Sequence, residues 1–543
     1  MTAADTTPII TVEGLTVDFH NATGAQRAVE DVSFEVRPGE TLVILGESGS
    51  GKSVSASAIM GLIDMPPGEI VSGRILFGGR DITDLTEAER LEVNGSQIAM
   101  IFQDPLSHLN PVFTVGWQLC EILTYHRRCG RAEARRRAVE ILTRVGIADA
   151  AARIDDYPHQ FSGGQRQRIM IGMAIALGPK VLIADEPTTA LDATVQAQVL
   201  ELLRSLQREE GLAIIMITHD LEVAAGMADR IVVMTAGRVV EAGPARAVFE
   251  RPEHPYTRRL MSALPHGLTR EGAPAGARPP VLEVRALTKI YGLVPGQAPT
   301  PGMLRAVDGV SFTLGQGRTL GIVGESGSGK STVARMLLRL TGATSGEVIF
   351  DGRDVLTLDR AELLRFRRRV QMVFQDPYSS MNPRMSVFQI ISEPWIIHPE
   401  ILPRPRWAER VGELLEMVGL QRGHAARFPH QFSGGQRQRI AIARALACEP
   451  EVIVCDEAVS ALDVSIQMQV IELLSDLRDR LGLSYVFITH DLPIVRNFAD
   501  EILVMNRGRV VEWQETAALF ATPREAYTRQ LLEAAPRPKW AAE

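Results

Sequence analysis

The sequence predicts an α/β fold of two tandem units, each built around a mostly parallel sheet. Short apolar runs typical of buried strands alternate with helix-forming stretches along the chain, an order that favours parallel strands joined by helices. The second half also repeats the first, because Lys330 follows Lys52 by 278 positions and Glu457 follows Glu186 by 271. A repeat of this length indicates a duplicated domain rather than a solenoid of short units.

Length and composition set the number of domains. At 543 residues the chain is too long for one hydrophobic core, and we expect a first domain over residues 1–264 and a second over 281–543. The stretch 265–280 between them is rich in Gly, Pro and Ala and is predicted to be a linker. The chain has 45% hydrophobic and 23% charged residues, which is typical of globular proteins.

The charge distribution does not favour a nucleic-acid partner. The net charge is −7, and acidic residues flank the arginine runs 135–137 and 367–369, so we interpret these runs as solvated helix faces. The N-terminus lacks the basic and apolar segments of a secretory signal. The longest uncharged apolar run, 169–177, is about half of a membrane span. If the protein works at a membrane, other subunits must therefore supply the spanning segments.

An identical glycine-rich loop occurs in both halves, after the strand-like runs 41–45 and 319–323 and before the helix-forming stretches 54–63 and 332–340. The loop fits the pattern G-x-x-x-x-G-K-[ST], in which backbone N–H groups face phosphate oxygens, the lysine reaches the β- and γ-phosphates and the hydroxyl can hold Mg²⁺. The first copy is Gly46, Glu47, Ser48, Gly49, Ser50, Gly51, Lys52 and Ser53, and the second is Gly324, Glu325, Ser326, Gly327, Ser328, Gly329, Lys330 and Ser331.

Paired carboxylates end the next buried strand-like runs, 181–184 and 452–455. An aspartate at the carboxyl end of a strand beside the phosphate loop can hold Mg²⁺. The glutamate that follows it is placed to polarise an attacking water as a general base. The pairs are Asp185 with Glu186, and Asp456 with Glu457.

Three further residue types recur at matching positions in the two halves. Gln103 and Gln375 are candidates for sensing the metal and the γ-phosphate. His219 and His490 each follow an apolar run, and their equal spacing favours a γ-phosphate contact, although a single histidine there would more often be structural. The aromatic residues that precede the phosphate loops could stack on an adenine ring or pack in the core; they are Phe19 (or His20) and Tyr291.

A Ser-Gly-Gly-Gln turn opens a predicted helix in each half. A helix N-terminus of this kind can bind a phosphate, so each unit would hold two anion sites, more than one nucleotide needs. The residues are Ser162, Gly163, Gly164 and Gln165, and Ser433, Gly434, Gly435 and Gln436.

Together these motifs resemble the ATP-binding cassette (ABC) family, with two P-loop NTPase cassettes covering essentially the whole chain. The resemblance implies that each cassette has a mostly parallel-sheet core, a helical subdomain and an antiparallel β subdomain. It implies ATPase activity with ATP and Mg²⁺, and closure of each Ser-Gly-Gly-Gln turn over the nucleotide held by the other cassette. One composite site would then join Lys52 and Glu186 to Ser433, and the other would join Lys330 and Glu457 to Ser162. The D-loop counterparts are 190–192 and 461–463.

Shorter motifs resemble the peptide/nickel importer branch, and they cover 102–111, 374–383, 254–260 and 526–531. The chain is thus similar to the ATPase subunit of oligopeptide, glutathione or microcin-type importers. The resemblance implies two transmembrane permeases, an extracytoplasmic substrate-binding protein, and peripheral association with the cytoplasmic face of the plasma membrane. Some relatives carry a cysteine-rich iron–sulfur segment after the Tyr-Thr-Arg motif. No cysteine follows that motif in either half, so we predict no iron–sulfur cluster.

Other double-cassette proteins fit the sequence less well. A translation factor acting on ribosomes usually has a long, charged, helical linker, whereas 265–280 is short and nearly uncharged. A DNA-repair ATPase of this superfamily would need zinc-binding cysteine pairs, and this sequence has none. Sugar importers often have a degraded second phosphate loop, whereas both loops are intact here. One departure from the family pattern is Ala458-Val459, where the first half has Pro187-Thr188. Because Glu457 is kept, we expect some asymmetry between the two sites but activity at both. We expect the permeases to contact the residues after Gln103 and Gln375, through Phe113 and Met385.

Overall fold

The computed structural model describes residues 7–21, 24–127, 129–189, 191–262, 279–293, 302–376, 380–460, 462–534 and 538–542. The chain forms two compact units, Met1–Leu264 with Ala534–Glu543, and Pro265–Glu533. Most of the predicted linker, 265–278, lies outside the described residues, and Pro280 already begins a strand.

The first unit contains ten strands and the helices that connect them, within its described residues. The strands are β1 Ile10–Asn21, β2 Gly24–Val36, β3 Thr41–Leu45, β4 Gly68–Phe77, β5 Arg80–Asp81, β6 Ile98–Ile101, β7 Val181–Asp185, β8 Ala213–Thr218, β9 Arg230–Thr235 and β10 Arg238–Pro244. The α-helices are α1 Lys52–Met60, α2 Glu87–Val93, α3 Pro105–His108, α4 Val115–Arg127, α5 Arg131–Arg144, α6 Ala150–Arg153, α7 Gly163–Ile175, α8 Ala193–Glu210, α9 Leu221–Met227, α10 Ala245–Glu250 and α11 Pro255–Ser262. Short 3-10 helices cover Pro158–Gln160 and Lys539–Ala542.

Two sheets organise the first unit. The six-stranded sheet has the order β10-β9-β3-β8-β7-β6, in which every pair is parallel except β9 with β10. The four-stranded sheet, in the order β2-β1-β4-β5, is antiparallel. The predicted α/β class and mostly parallel core are therefore confirmed.

One apolar cluster joins both sheets of the first unit through α1. It includes Ile10 and Val12 of β1, Ile59 of α1, and Leu42 and Ile44 of β3, all at most 1% exposed. Because β3 and α1 are both fixed in this cluster, the loop between them is held at the edge of the parallel sheet.

The second unit repeats this architecture. Its strands are β11 Pro280–Ile290, β12 Arg305–Gly315, β13 Thr319–Val323, β14 Ser345–Phe350, β15 Arg353–Asp354, β16 Val370–Val373, β17 Val452–Asp456, β18 Ser484–Ile488, β19 Glu501–Asn506 and β20 Arg509–Glu515. Its α-helices are α12 Lys330–Leu337, α13 Arg360–Arg369, α14 Val387–Ile397, α15 Trp407–Met417, α16 Gly434–Leu446, α17 Val464–Leu481, α18 Leu492–Phe498, α19 Thr516–Ala521 and α20 Ala526–Glu533. Its 3-10 helices are Val355–Thr357, Arg404–Arg406, Arg422–Ala426 and Pro429–Gln431. The sheet orders are β16-β17-β18-β13-β19-β20 and β12-β11-β14-β15.

The helix after the phosphate loop differs from the sequence prediction at both ends. The predicted stretch was 54–63, whereas α1 spans Lys52–Met60. Gly51 has φ 96° and Gly61 has φ 63°, and this left-handed conformation, which glycine adopts without strain, both precedes and ends the helix.

A helix needs about 20 mostly apolar residues to cross a bilayer, and this length can be judged for the helices in the described parts of the chain. In these parts of the protein, every helix is too short or too polar to cross a membrane.

Candidate functional site

The predicted site residues of the first unit lie at the carboxyl ends of neighbouring parallel strands. The phosphate loop follows β3, Gln103 follows β6, Asp185 ends β7 and His219 follows β8. The strands β3, β8, β7 and β6 are adjacent and parallel, so these residues meet at one edge of the sheet. Ligands of open α/β sheets bind at this edge.

The phosphate loop folds around its own lysine. Lys52 Nζ, which is 5% exposed, donates to the backbone oxygens of Gly46 and Glu47, each at 2.7 Å. A Cβ at Gly46 would overlap the backbone oxygen of Met234 on β9, so only glycine allows this close approach. In the second unit Lys330 Nζ makes the same contacts, at 2.7 and 2.8 Å.

A serine and an aspartate pair beside each loop. Ser53 Oγ donates to Asp185 Oδ1 at 3.1 Å, and Ser331 Oγ donates to Asp456 Oδ1 at 2.8 Å. Burial raises the pKa of both aspartates, and the serine hydrogen bonds oppose that rise. A desolvated carboxylate beside a serine hydroxyl supplies hard oxygen donors, the kind of ligand that Mg²⁺ prefers. The residues present therefore fit this cation.

Three side chains surround the carboxylate of Glu186. Gln103 Nε2 donates to Oε2 at 2.7 Å, Thr189 Oγ1 donates to Oε2 at 3.0 Å, and His219 Nδ1 lies 3.0 Å from Oε1. Burial raises the pKa of Glu186, but the contacts with His219 and Thr189 outweigh it and hold the pKa below its usual range. The side chain is thus an ionised carboxylate, as a general base requires.

The corresponding cluster in the second unit is looser. Gln375 Nε2 donates to Glu457 Oε2 at 2.7 Å, whereas His490 Nδ1 lies 3.6 Å from Oε1, a separation that fits an ion pair better than a hydrogen bond. Ser460 Oγ donates to the backbone oxygen of Glu457 at 3.0 Å and not to its carboxylate. The contact between the two side chains lowers the pKa of Glu457 and raises that of His490, with burial opposing both shifts.

Both glutamates adopt a backbone conformation that is rare for side-chain-bearing residues. Glu186 has φ 47° and Glu457 has φ 48°, in the left-handed region that costs about 1 kcal/mol or more. Their amides donate to Ile217 O and Ile488 O, each at 2.9 Å, which ties them to the neighbouring strand. This conformation lets one strand end present two successive carboxylates at the site.

The Ser-Gly-Gly-Gln turns cap the helices α7 and α16. Ser162 Oγ accepts from the Gln165 amide, while Gln165 Oε1 accepts from the Ser162 amide at 3.1 Å. Ser433 and Gln436 form the same pair. Ser162 and Gly163 are exposed, and the cross-cassette role of these turns stays a prediction. Of the D-loop segments, Ala190 and Ala461 lie outside the described residues.

The two aromatic candidates differ in environment. Phe19 is half-buried and packs against the core of the first unit, whereas Tyr291 is 41% exposed, with Lys289 Nζ 5.1 Å from its ring centroid. Adenine stacking stays a prediction for both residues.

Sequence reasoning missed several residues that contact the site. Thr189 contacts the Glu186 carboxylate, and only its position three residues after that glutamate could have indicated it. Tyr256 and Tyr527 each accept a hydrogen bond from a phosphate-loop amide at 3.3 Å. Their motif was recognised as a marker of the importer branch, but a contact across more than 200 positions carries no local signal.

Comparison with known proteins gives two family matches. Residues 29–189 and 307–460 match the ABC transporter family, and residues 240–285 and 511–543 match the oligopeptide/dipeptide transporter C-terminal region.

Similar proteins are transport ATP-binding proteins. The chain is 46% identical over 542 residues to the peptidoglycan transport ATP-binding protein YejF of Agrobacterium fabrum, covering 98% of each chain. It is 44% identical over 562 residues to the glutathione import ATP-binding protein GsiA of Salmonella choleraesuis, covering 98% of this chain and 90% of that protein. It is 45% identical over 558 residues to GsiA of Escherichia coli, covering 97% of this chain and 89% of that protein.

Proposed function

The chain belongs to the ABC transporter family and is a tandem-cassette ATPase, and from that membership we propose that it powers the import of short peptides through separate membrane permeases. The observation that carries the proposal is the repeated cluster of phosphate loop, Gln, Glu and His at one sheet edge in each unit. The relatives are transport proteins, so a ribosomal translation factor is not the proposed function.

In this proposal each phosphate loop binds the phosphates of ATP. Lys52 and Lys330 contact the β- and γ-phosphates, and the loop amides contact the phosphate oxygens. Glu186 and Glu457 accept a proton from the attacking water, and His219 and His490 orient them and contact the γ-phosphate. The low pKa of both glutamates supports the base role, because a protonated carboxyl could not accept that proton.

Mg²⁺ would be held by Ser53, Gln103 and Asp185 in the first unit. In the second unit it would be held by Ser331, Gln375 and Asp456. When bound, it neutralises charge on the phosphates. Each glutamine also donates to its glutamate at 2.7 Å, so it would connect the cation to the general base.

We place the Ser-Gly-Gly-Gln turn of each cassette over the nucleotide of the other. The exposure of Ser162 and Gly163 supports this role, as does the second helix N-terminus that one nucleotide does not need. ATP would then hold the cassettes together, and hydrolysis would let them part and move the permeases.

The cargo we propose is a short peptide, free or released from the cell wall. Glutathione is a tripeptide and peptidoglycan contains short peptides, so the compounds in the names of both relatives contain a short peptide. The match to the oligopeptide/dipeptide transporter C-terminal region supports the same class. An extracytoplasmic binding protein would deliver the peptide to two permeases, and the chain would work on the cytoplasmic face of the membrane.

The permease contact we propose in the first unit is an exposed apolar surface just after the Gln103 segment. Phe113 and Trp117 stack with ring centroids 4.0 Å apart and are 37% and 45% exposed, and Val112 is 70% exposed. Large apolar side chains grouped on a surface are typical of protein contacts. They follow Gln103 closely along the chain, and we propose that this segment transmits permease movement to the ATP site.

The test is capture of the partners by the ATP-bound protein. Tagged protein with Glu186→Gln and Glu457→Gln is solubilised in detergent with its membranes and purified with MgATP, since ATP that is not hydrolysed should hold the assembly together. We expect two multi-span permeases to copurify, and Trp117→Ala to reduce their recovery while leaving the ATPase activity of the isolated chain unchanged.

Uptake then tests the cargo. Cells lacking this gene should lose import of a labelled glutathione or cell-wall peptide, and the wild-type gene should restore it. Recovery of ribosomes without membrane proteins, or unchanged peptide uptake, would contradict the proposal.

A further inference from the structure

A tyrosine near the C-terminal end of each unit contacts the phosphate loop of that unit. The hydroxyl of Tyr256 in α11 accepts a hydrogen bond from the backbone amide of Glu47 at 3.3 Å. The hydroxyl of Tyr527 in α20 accepts one from the amide of Glu325, also at 3.3 Å. Both tyrosines are half-buried. The contact thus recurs, with the same atoms and distance, in two sequence copies that have diverged elsewhere.

The peptide group between Gly46 and Glu47, whose N–H contacts Tyr256, also contacts the loop lysine, because Gly46 O accepts from Lys52 Nζ at 2.7 Å. Glu47 O accepts from Lys52 Nζ at 2.7 Å and from the Ser50 amide at 3.2 Å. Thus one side of this residue is fixed by the tyrosine and the other by the lysine.

The second unit has the same junction, because Gly324 O, in the peptide group whose N–H contacts Tyr527, accepts from Lys330 Nζ at 2.7 Å. Glu325 O accepts from Lys330 Nζ at 2.8 Å and from the Ser328 amide at 3.1 Å. A hydrogen-bonded chain therefore runs from tyrosine hydroxyl to loop peptide to lysine in both units.

The tyrosines are themselves fixed to the edge of the six-stranded sheet. Glu241 on β10 accepts from the amides of Glu253 and His254, at 2.9 and 3.0 Å, at the start of α11. His254 Nδ1 accepts from the Tyr256 amide at 3.2 Å. These bonds place the beginning of α11, and with it the tyrosine ring, at a set distance from the sheet.

Glu512 on β20 does the same for α20. It accepts from the amides of Arg524 and Glu525 at 2.8 and 3.2 Å. Both units therefore have the contact between tyrosine and phosphate loop and the glutamate that fixes the start of the tyrosine's helix. A residue that positions a site needs such supporting contacts.

We propose that Tyr256 and Tyr527 are positioning residues for ATP binding. Each hydroxyl fixes the first peptide group of the phosphate loop, Gly46–Glu47 or Gly324–Glu325, and through its carbonyl the loop lysine, in the orientation that receives the β- and γ-phosphates. Both tyrosines lie in the segments that match the oligopeptide/dipeptide transporter C-terminal region, so that region acts on the ATP site. The inference rests on the ATPase part of the proposed function and is independent of the cargo.

Tyr→Phe substitution at both positions isolates the hydroxyl, because the ring and its packing are kept. We expect the double variant Y256F/Y527F to raise the KM for MgATP about fivefold with kcat within twofold, since a neutral hydrogen bond that orients the ligand site is lost. Amide hydrogen exchange at Glu47 and Glu325 should accelerate in the nucleotide-free protein. The matched control is Y125F, which removes a hydroxyl from a tyrosine that is 65% exposed on α4 and should change none of these quantities.

A change in KM without a change in kcat would distinguish the loss of a positioning contact from a general loss of packing. Partial misfolding would lower kcat through the active fraction and leave KM unchanged. Glu241→Gln with Glu512→Gln provides a second variant pair, which should also raise KM because it loosens the start of each helix while the hydroxyls remain. Unchanged KM together with unchanged exchange at Glu47 and Glu325 in the folded Y256F/Y527F protein would overturn the inference. Absence of ATPase activity in the wild-type protein would instead contradict the proposed function.

Discussion

Thr189 Oγ1 donates a 3.0 Å hydrogen bond to the carboxylate of Glu186, and the second unit has no equivalent bond among its described residues, because Ser460 donates to the backbone oxygen of Glu457. The histidine Nδ1 also lies closer to the glutamate Oε1 in the first unit, at 3.0 Å, than in the second, at 3.6 Å. Two sites with identical phosphate loops thus hold the glutamates that we propose as general bases with different precision. A base held by more contacts loses less orientational freedom during the reaction.

Removal of the threonine hydroxyl should therefore impair the first site. Thr189→Val keeps the branched shape and removes the donor, and we expect the rate of ATP hydrolysis at the first site to fall about threefold to tenfold as Glu186 loses one fixed contact. The matched control, Ser460→Ala, should change kcat less than twofold, because that hydroxyl does not contact the carboxylate. Equal losses in the two variants would contradict the asymmetry.

The second glycine of each Ser-Gly-Gly-Gln turn is required by packing. A Cβ at Gly164 would overlap Cγ1 of Val195 on α8, and a Cβ at Gly435 would overlap Ile466 on α17, whereas a Cβ at Gly163 meets nothing within 4 Å. We expect Gly164→Ala to lower the free energy of unfolding by about 1–3 kcal/mol and Gly163→Ala to leave it nearly unchanged. Chemical denaturation measures both.

A compensating substitution tests whether the overlap with Val195 is what makes Gly164→Ala destabilising. Val195→Ala should recover most of the stability that Gly164→Ala loses, since it removes the overlapping methyl groups. If the double variant is no more stable than Gly164→Ala alone, the overlap with Val195 is not the reason for the glycine.

The buried aspartates should decrease stability in the absence of ligands. Burial raises the pKa of Asp185 above its ordinary value, so the native state binds a proton more readily than the unfolded state and stability falls as the pH rises through the pKa. At neutral pH, Asp185→Asn should therefore raise the melting temperature by about 2–4 °C without nucleotide or metal. It should also abolish the extra stabilisation that Mg²⁺ adds to ATP.

The exposed Asp84 provides the control for that substitution. Asp84→Asn removes the same charge from the surface and should shift the melting temperature by less than 1 °C. A lower melting temperature in Asp185→Asn, or an intact response to Mg²⁺, would contradict this account.

The strands that carry the site were predicted closely because they are short and continuously apolar. The predicted runs 41–45 and 319–323 coincide with β3 and β13, and parallel strands buried on both faces have this pattern. The site residues beside them could be predicted because each motif is local in sequence.

The antiparallel strands were predicted less well. The strand β2 begins at Gly24, but its first four residues are exposed and show no apolar run that would indicate a strand. The pair β9 and β10 was not identified individually, since β10 is a half-exposed edge strand. Contacts such as Tyr256 with Glu47 join residues 209 positions apart, and they depend on the packing of α11 that no short motif encodes.

The ion pair of His490 with Glu457 should contribute stability only over a limited pH range. The contact with Glu457 raises the pKa of His490 above its ordinary value of 6.5, so its contribution is complete below that value and is lost as the pH rises through the raised pKa. The pKa of Glu457 lies below its ordinary 4.5, so its contribution is present above 4.5 and is lost as the pH falls through the lowered pKa. The pair should therefore stabilise the fold most between pH 4.5 and 6.5.

His490→Gln tests this range through the melting temperature of the nucleotide-free protein. We expect a decrease of about 2 °C near pH 6, corresponding to about 0.5–1 kcal/mol, that disappears at alkaline pH. The control is His126→Gln, since His126 is exposed on α4 and its replacement should have only a small effect. A decrease in His490→Gln that is as large at pH 9 as at pH 6 would show that the imidazole stabilises the site by packing and not by its charge.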